Sequence, residues 1–217
     1  MAEIAPSTSR RERALLADLM DEVGPDAPTL CGEWTTRDLA AHIVMRERRP
    51  DGAAGVIVPQ FSGYSQKVQA GIASADYEGI VEKVRSGPQL WFPTRLDAID
   101  KVVNTAEFYV HHEDVRRATE EWEARDLDRQ TNDELRGALS RSIRMLARSL
   151  PVGLELRPTD TTDTSAITAK AGDPVVTIEG PVGEIMLYVF GRKDVAQVEL
   201  AGDDDAVQAI RDAKLGI

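Results

Sequence analysis

Apolar residues recur three and four apart through the first two thirds of the chain, the spacing that lays a single stripe along a helix. Leu15, Leu16, Leu19, Met20 and Val23 keep to it, with Ser7 or Thr8 as the N-cap, and predict a helix that stops at Gly24-Pro25-Asp26-Ala27-Pro28. A second helix starts just after Trp34. There Thr35 and Asp38 have the spacing of a capping box with Asp in place of Glu, and Leu39, Ala40, Ile43 and Val44 carry the pattern toward Pro50. A loop rich in Gly and Pro is expected over about 49–62, then shorter helices over about 63–73 and 77–86, the latter capped by Asp76 and closed at Gly87-Pro88. The clearest periodicity covers 96–118, where Ile99, Val102, Val103, Ala106, Val110 and Val115 lie close to one stripe expected to face the core. Thr131 is read as the cap of a further helix over about 132–150, ended by Pro151.

Beyond Pro151 the texture changes. Thr159–Ser165 reads as a Thr/Asp-rich turn, and 167–170 and 175–178 as strands around a Gly172-Asp173-Pro174 turn. A helix opened by Pro181, a strand over 195–200 and a helix over 203–213 follow. The expected architecture is mainly α: an up-and-down four-helix bundle over residues 1–151, then a small α+β domain over 152–217.

Composition narrows the function classes. Acidic residues outnumber basic ones, 37 to 26, for a net charge of -11, and the basic residues are interspersed with acids, so nucleic acid is not an expected partner. No window approaches the roughly 18 apolar residues of a membrane helix, and the first residues lack the basic start and apolar core of a signal peptide. The single cysteine, Cys31, rules out an internal disulfide framework and suits a reducing cytoplasm; the expected state is a monomer or homodimer. No Ser-His-Asp arrangement, glycine-rich phosphate loop or CxxC pair is present.

Three histidines remain as candidate chemistry: His42, His111 and His112. Glu107 and His111 stand four apart on the 96–118 helix, so a carboxylate oxygen and an imidazole nitrogen can meet beside its axis. His42 shares a helix face with Leu39 and Ile43. Burying such groups unpaired costs roughly 1–3 kcal/mol each, more for a carboxylate, and a shared divalent cation removes that cost. An ordinary i,i+4 hydrogen-bonded pair, with His42 satisfied by some other neighbour, explains the same spacing. His112, about 100° around the helix from His111, is expected at the bundle margin. Asp114 either orients His111 or is a solvated helix-end charge, and Asp38 either supports His42 or belongs only to the cap. Arg46 and Arg49 are candidates for holding an acidic ligand, or else solvated helix-end charges. Cys31 reads as a buried small residue, with a fourth ligand or a reactive thiol as the alternatives; Trp34 reads as a core anchor, and Trp91 and Trp122, core residues or pocket lining, carry no assigned role.

The run Cys31-Gly32-Glu33-Trp34-Thr35-Thr36-Arg37-Asp38-Leu39-Ala40-Ala41-His42, followed by Glu107-Phe108-Tyr109-Val110-His111-His112-Glu113-Asp114, resembles the mycothiol-dependent maleylpyruvate isomerase-like branch of the DinB/YfiT-like metal-binding superfamily. The family pattern is W-x3-D-x3-H on one helix and E-x3-H-x2-D on a later one. Gly180 through Arg192 and Gly202-Asp203-Asp204 look like the small α/β domain that often follows the bundle, and Arg46 through Asp51 looks like an actinobacterial subgroup described as metal-binding. The resemblance implies His42, Glu107 and His111 as ligands of one divalent metal, with Asp114 at the family's trailing aspartate. Two imidazoles and a carboxylate suit Zn²⁺ best, with Ni²⁺, Mn²⁺ or Fe²⁺ compatible. It also implies a low-molecular-weight thiol such as mycothiol as cosubstrate, activated for isomerisation or transfer on a small electrophile. A non-catalytic, metal-dependent ligand-binding or stress-response protein is the alternative.

Overall fold

The computed structural model describes residues 6–52, 62–89 and 93–216. Residues 1–5, most of the expected Gly/Pro-rich loop and Trp91 lie outside the described residues. The chain divides into two compact units, Met1–Trp122 and Glu123–Ile217.

The first unit is helical. Helix α1 spans Thr8–Val23, α2 Thr36–Arg48, α3 Ser62–Ala73, α4 Tyr77–Ser86 and α5 Asp97–Arg116, with a short 3-10 turn at Pro93–Arg95 before α5. Local chemistry explains the ends. Gly24 takes φ 80° at the end of α1 and Gly87 takes φ 72° at the end of α4, a region a side chain disfavours. The Asp76 carboxylate accepts from the Gly79 amide to open α4. At the start of α2, the Asp38 carboxylate accepts from both the Thr35 amide (3.1 Å) and the Thr35 hydroxyl (3.0 Å).

Helix α1 packs along α5 and against α4, while α2 packs on α3 and α4. Leu16, Met20, Leu39, Ile43, Ile80, Val84 and Phe108 are fully buried where these helices meet. The sequence reading of α5 needs one correction. Ile99, Val102 and Val103, expected inside, are 36%, 55% and 48% exposed, and the residues facing inward are Asp100, Asn104, Thr105, Phe108 and His112. The two faces differ by one residue of register, about 100° of rotation. The inner face is tolerable because α1 brings polar partners to it. The Ser9 hydroxyl donates to Asp100 (2.5 Å), Asn104 donates to Asp100 (2.7 Å), and Glu12 meets His112 Nδ1 (2.7 Å). His112 is therefore buried in the α1–α5 contact rather than at a margin.

The second unit is mixed. Helix α6 spans Arg129–Leu146, and the strands are β1 Gly153–Pro158, β2 Ile167–Lys170, β3 Val175–Gly180 and β4 Glu199–Ala201; helices α7 (Val182–Val189) and α8 (Asp204–Asp212) complete it. The N-cap of α6 is Asp128, three residues before Thr131, and its carboxylate accepts from the Thr131 amide. The sheet order is β2-β1-β3-β4, with β1 parallel to β3 and the other pairs antiparallel. Thus β2 and β3 do not pair across the Gly172-Asp173-Pro174 turn. Strand β1, absent from the sequence reading, lies between them, with Leu154 and Leu156 fully buried. Helix α6, grouped by sequence with the bundle, packs on α7 and β2 in this unit.

Candidate metal centre

The site lies where side chains of α2 and α5 reach one another. His42 sits in the middle of α2, on the side of the buried Leu39 and Ile43, so burial of that face fixes the direction of its ring. Trp34 packs against the same core and its ring lies 5.2 Å from the His42 ring, tilted by 45°. On α5, the buried Phe108 and Tyr109 fix the rotation of the helix, and Glu107 and His111 project one turn apart toward His42.

One carboxylate oxygen is the meeting point. Glu107 Oε1 lies 3.1 Å from His111 Nε2, 3.8 Å from His42 Nε2 and 3.3 Å from Arg46 Nη1. The His42 and His111 rings stand 5.7 Å apart, nearly perpendicular. One ligand atom from each of His42, Glu107 and His111 lies within 4.8 Å of the others. Ligand atoms around a tetrahedral cation with bonds near 2.0–2.1 Å are separated by about 3.3 Å, so these three side chains fit a single small divalent ion with little adjustment.

The surroundings set the charge state. The side chains of His42, Glu107 and His111 are 11%, 24% and 12% exposed. Burial is the strongest single influence on Glu107 and disfavours its charge. Hydrogen bonds with His111 and His42 and the charge of Arg46 outweigh it, holding the carboxyl well below the usual range. Burial also weighs most on His111 and disfavours its protonation, yet hydrogen bonds to Asp114, Cys31 and Glu107 prevail and raise its pKa well above the usual value.

Behind His111, the fully buried Asp114 places Oδ2 3.0 Å from His111 Nδ1 and also accepts from the Cys31 thiol at 3.0 Å. Asp114 thus orients the ring so that Nε2 faces Glu107, the arrangement in which a buried carboxylate fixes a histidine tautomer. Cys31, read from sequence as a buried small residue with a fourth ligand or a reactive thiol as alternatives, is part of this support: its Sγ lies 4.0 Å from His111 Nδ1, and Cys31, His111 and Asp114 form a second close group of potential ligand atoms. A lone cysteine before a helix gives no sequence signal of such a contact.

The remaining candidates separate. Arg46 reaches the site: besides approaching Glu107, its Nη2 donates to Asn104 Oδ1 at 3.0 Å. Arg49 turns instead to Asp51, donating to both carboxylate oxygens at 2.9 and 2.7 Å. Asp38 is engaged with Thr35 at the helix cap. Trp122 lies under the Arg117 guanidinium, 4.4 Å from ring to cation. Among the described residues no helix is long and apolar enough to cross a membrane.

No family profile matches the chain, and no curated protein matches it by sequence. Its structure does match a solved one, the crystal structure of the mycothiol-dependent maleylpyruvate isomerase. The TM-score is 0.56 over 89% of this chain and 88% of that chain, at 15% sequence identity. The two chains share a fold. At that identity the match speaks to the path of the backbone, while the chemistry must be argued from the side chains above.

Proposed function

We propose that this chain binds one divalent cation, Zn²⁺ by preference, through His42, Glu107 and His111 within a DinB-like four-helix bundle. There it brings a low-molecular-weight thiol such as mycothiol to a small electrophile for isomerisation or S-transfer. The observation that carries the reading is the convergence of His42 Nε2 and His111 Nε2 on one oxygen of Glu107. Two further observations support it. Trp34, Asp38 and His42 match W-x3-D-x3-H, and Glu107, His111 and Asp114 match E-x3-H-x2-D. The fold is also similar to that of an enzyme whose name describes mycothiol-dependent isomerisation.

Three protein ligands leave coordination positions open, as in working rather than closed structural sites. The cation would supply a Lewis-acidic centre that lowers the pKa of a thiol or water entering those positions. The chain's own residues do the rest. His42 and His111 would hold the cation through Nε2, His111 after giving up its Nε2 proton, while Asp114 faces Nδ1 and Arg46 offers a positive charge beside Glu107 for an acidic group of the ligand.

The test is metal analysis of the purified protein, then of His42→Ala and Glu107→Ala. Stoichiometric metal in the wild type and its loss in both variants is the expected result; metal retained by both would sink the assignment. Incubation with mycothiol and electrophiles such as maleylpyruvate separates an enzyme from a metal-dependent binding protein. Thiol-dependent conversion is expected, and its absence across a broad panel of electrophiles favours the binding protein.

A further inference from the structure

A second group of ligand atoms lies on the other side of the His111 ring, at Nδ1. Cys31 Sγ, His111 Nδ1 and Asp114 Oδ2 form a triangle with sides of 3.0, 3.0 and 4.0 Å, the longest between sulfur and nitrogen. Around a tetrahedral Zn²⁺, with bonds near 2.3 Å to sulfur and 2.0–2.2 Å to nitrogen and oxygen, such atoms stand about 3.3–3.6 Å apart. Shifts of about half an ångström therefore bring the three around one cation. The loop that carries Cys31 is fixed in place by its own contacts. A bridge pairs Pro28 with Thr35, and the buried Thr29 hydroxyl donates to the Trp34 carbonyl (2.7 Å) and accepts from the Cys31 amide (3.1 Å). The Leu30 amide donates to the Asp114 carbonyl (2.9 Å), which ties this loop to the turn of α5 that supplies the other two ligands.

We propose that Cys31, His111 and Asp114 form a second cation site, selective for a thiophilic divalent ion such as Cd²⁺. The thiolate sets that preference, and the group of His42, Glu107 and His111 has no sulfur to offer. With the Asp114 carboxylate ionised, both contacts to its Oδ2 carry a proton, one from the thiol and one from Nδ1. The cation takes the place of these two protons, which leave to solvent, and the thiolate and carboxylate charges balance it. A neutral imidazole has one lone pair, so a cation at Nδ1 leaves Nε2 protonated and donating to Glu107 Oε1, 3.1 Å away. The two positions on the ring therefore compete: a cation at Nδ1 excludes one at Nε2. The site stands on its own three residues, and only this competition rests on the metal centre proposed above.

The experiment is titration of the full chain with Cd²⁺, read by the ultraviolet thiolate-to-cadmium charge-transfer band. Cys31 is the single cysteine, so the band reports this site alone. It should saturate at one equivalent in the wild type and in His42→Ala, which removes a ligand of the first centre and none of this one. Asp114→Asn, folded by circular dichroism, should keep the band and lose at least about tenfold in Cd²⁺ affinity, because an amide oxygen replaces a charged ligand. Unchanged affinity in Asp114→Asn would mean a cation held by the thiol without the carboxylate and would overturn the site. So would the lack of a saturable band in the wild type, or its loss in a folded His42→Ala. Protein loaded first with Zn²⁺ should release one Zn²⁺ for each Cd²⁺ bound as the band rises; a rising band with Zn²⁺ retained would overturn the competition. The two centres fail separately. Zn²⁺ that binds and is lost in His42→Ala, with no cadmium band, leaves the first standing and removes the second; a saturable band in both His42→Ala and Glu107→Ala upholds the second whatever becomes of the first.

Discussion

Replacing Asp114 by Asn tests the metal centre through a residue outside the proposed ligand set. One atom, Asp114 Oδ2, takes both contacts, from His111 Nδ1 at 3.0 Å and from the Cys31 thiol at 3.0 Å. An amide oxygen can occupy the same place, so Asn keeps both contacts and loses the charge. Hydrogen bonds to a charged group contribute roughly 1.5–3 kcal/mol and neutral ones roughly 0.5–1.5, and a thiol is a weak donor. The expected loss of stability is therefore about 1–1.5 kcal/mol, read by urea unfolding in the presence of chelator.

The effect on metal binding has a pH signature. Contacts to Asp114 help raise the folded-state pKa of His111 above its unfolded value. That stabilisation is fully present below the unfolded pKa and is lost as pH rises through the folded one. The proton must also leave before Nε2 can hold a cation, so wild-type affinity climbs about tenfold per pH unit until the raised pKa is passed. In Asp114→Asn the His111 pKa falls back toward its usual value. At acid pH easier proton release then offsets the weaker ligand, and at alkaline pH the full deficit appears, about 10–100-fold for a lost partner of a ligand histidine. Competition for Zn²⁺ against a chromogenic chelator at about pH 6 and about pH 8.5 reads both regimes. A deficit that narrows as pH rises, or none at the higher pH, would refute the assignment of His111 as a ligand oriented by Asp114.

Two predictions concern the fold that carries the site. Arg13 and Glu47 form a buried pair with side chains 7% and 3% exposed, so Arg13→Met alone should lower stability by about 3–5 kcal/mol. Arg13 also lies 3.5 Å from the buried Asp100, so the double variant Arg13→Met/Glu47→Leu should recover part of the loss in denaturant unfolding; no recovery would mean that the Glu47 charge left behind is not the cause. Val102 is 55% exposed on α5, so Val102→Lys should change stability by less than about 0.5 kcal/mol. A melting-temperature drop corresponding to more than about 2 kcal/mol would return that face of the helix to the core.

The helices of the first unit were legible because their limits are set by residues that act locally. Gly24 and Gly87 take left-handed conformations that other residues resist, Asp76 and Asp38 satisfy amides at the first turn, and the apolar spacing does the rest. The pairing of Glu107 with His111 was legible for the same reason, since one turn of helix brings positions four apart together whatever surrounds them. Periodicity did not decide which side of α5 faces inward. Its apolar stripe and the polar stripe one residue away are equally helical, and only the polar partners brought by α1 make the second the buried one. Strand β1 and the sheet order depend likewise on contacts between segments distant in sequence, where a six-residue run offers too little pattern to place itself. At the site, sequence by itself determined a carboxylate and an imidazole one turn apart and, through a family pattern, named His42 as their partner. Only the tertiary structure decided that α2 carries His42 to within 3.8 Å of Glu107, that Arg46 rather than Arg49 stands beside it, and that Cys31 shares the carboxylate supporting His111. Convergence of side chains from different helices is set by how the helices pack, and no local spacing encodes that distance.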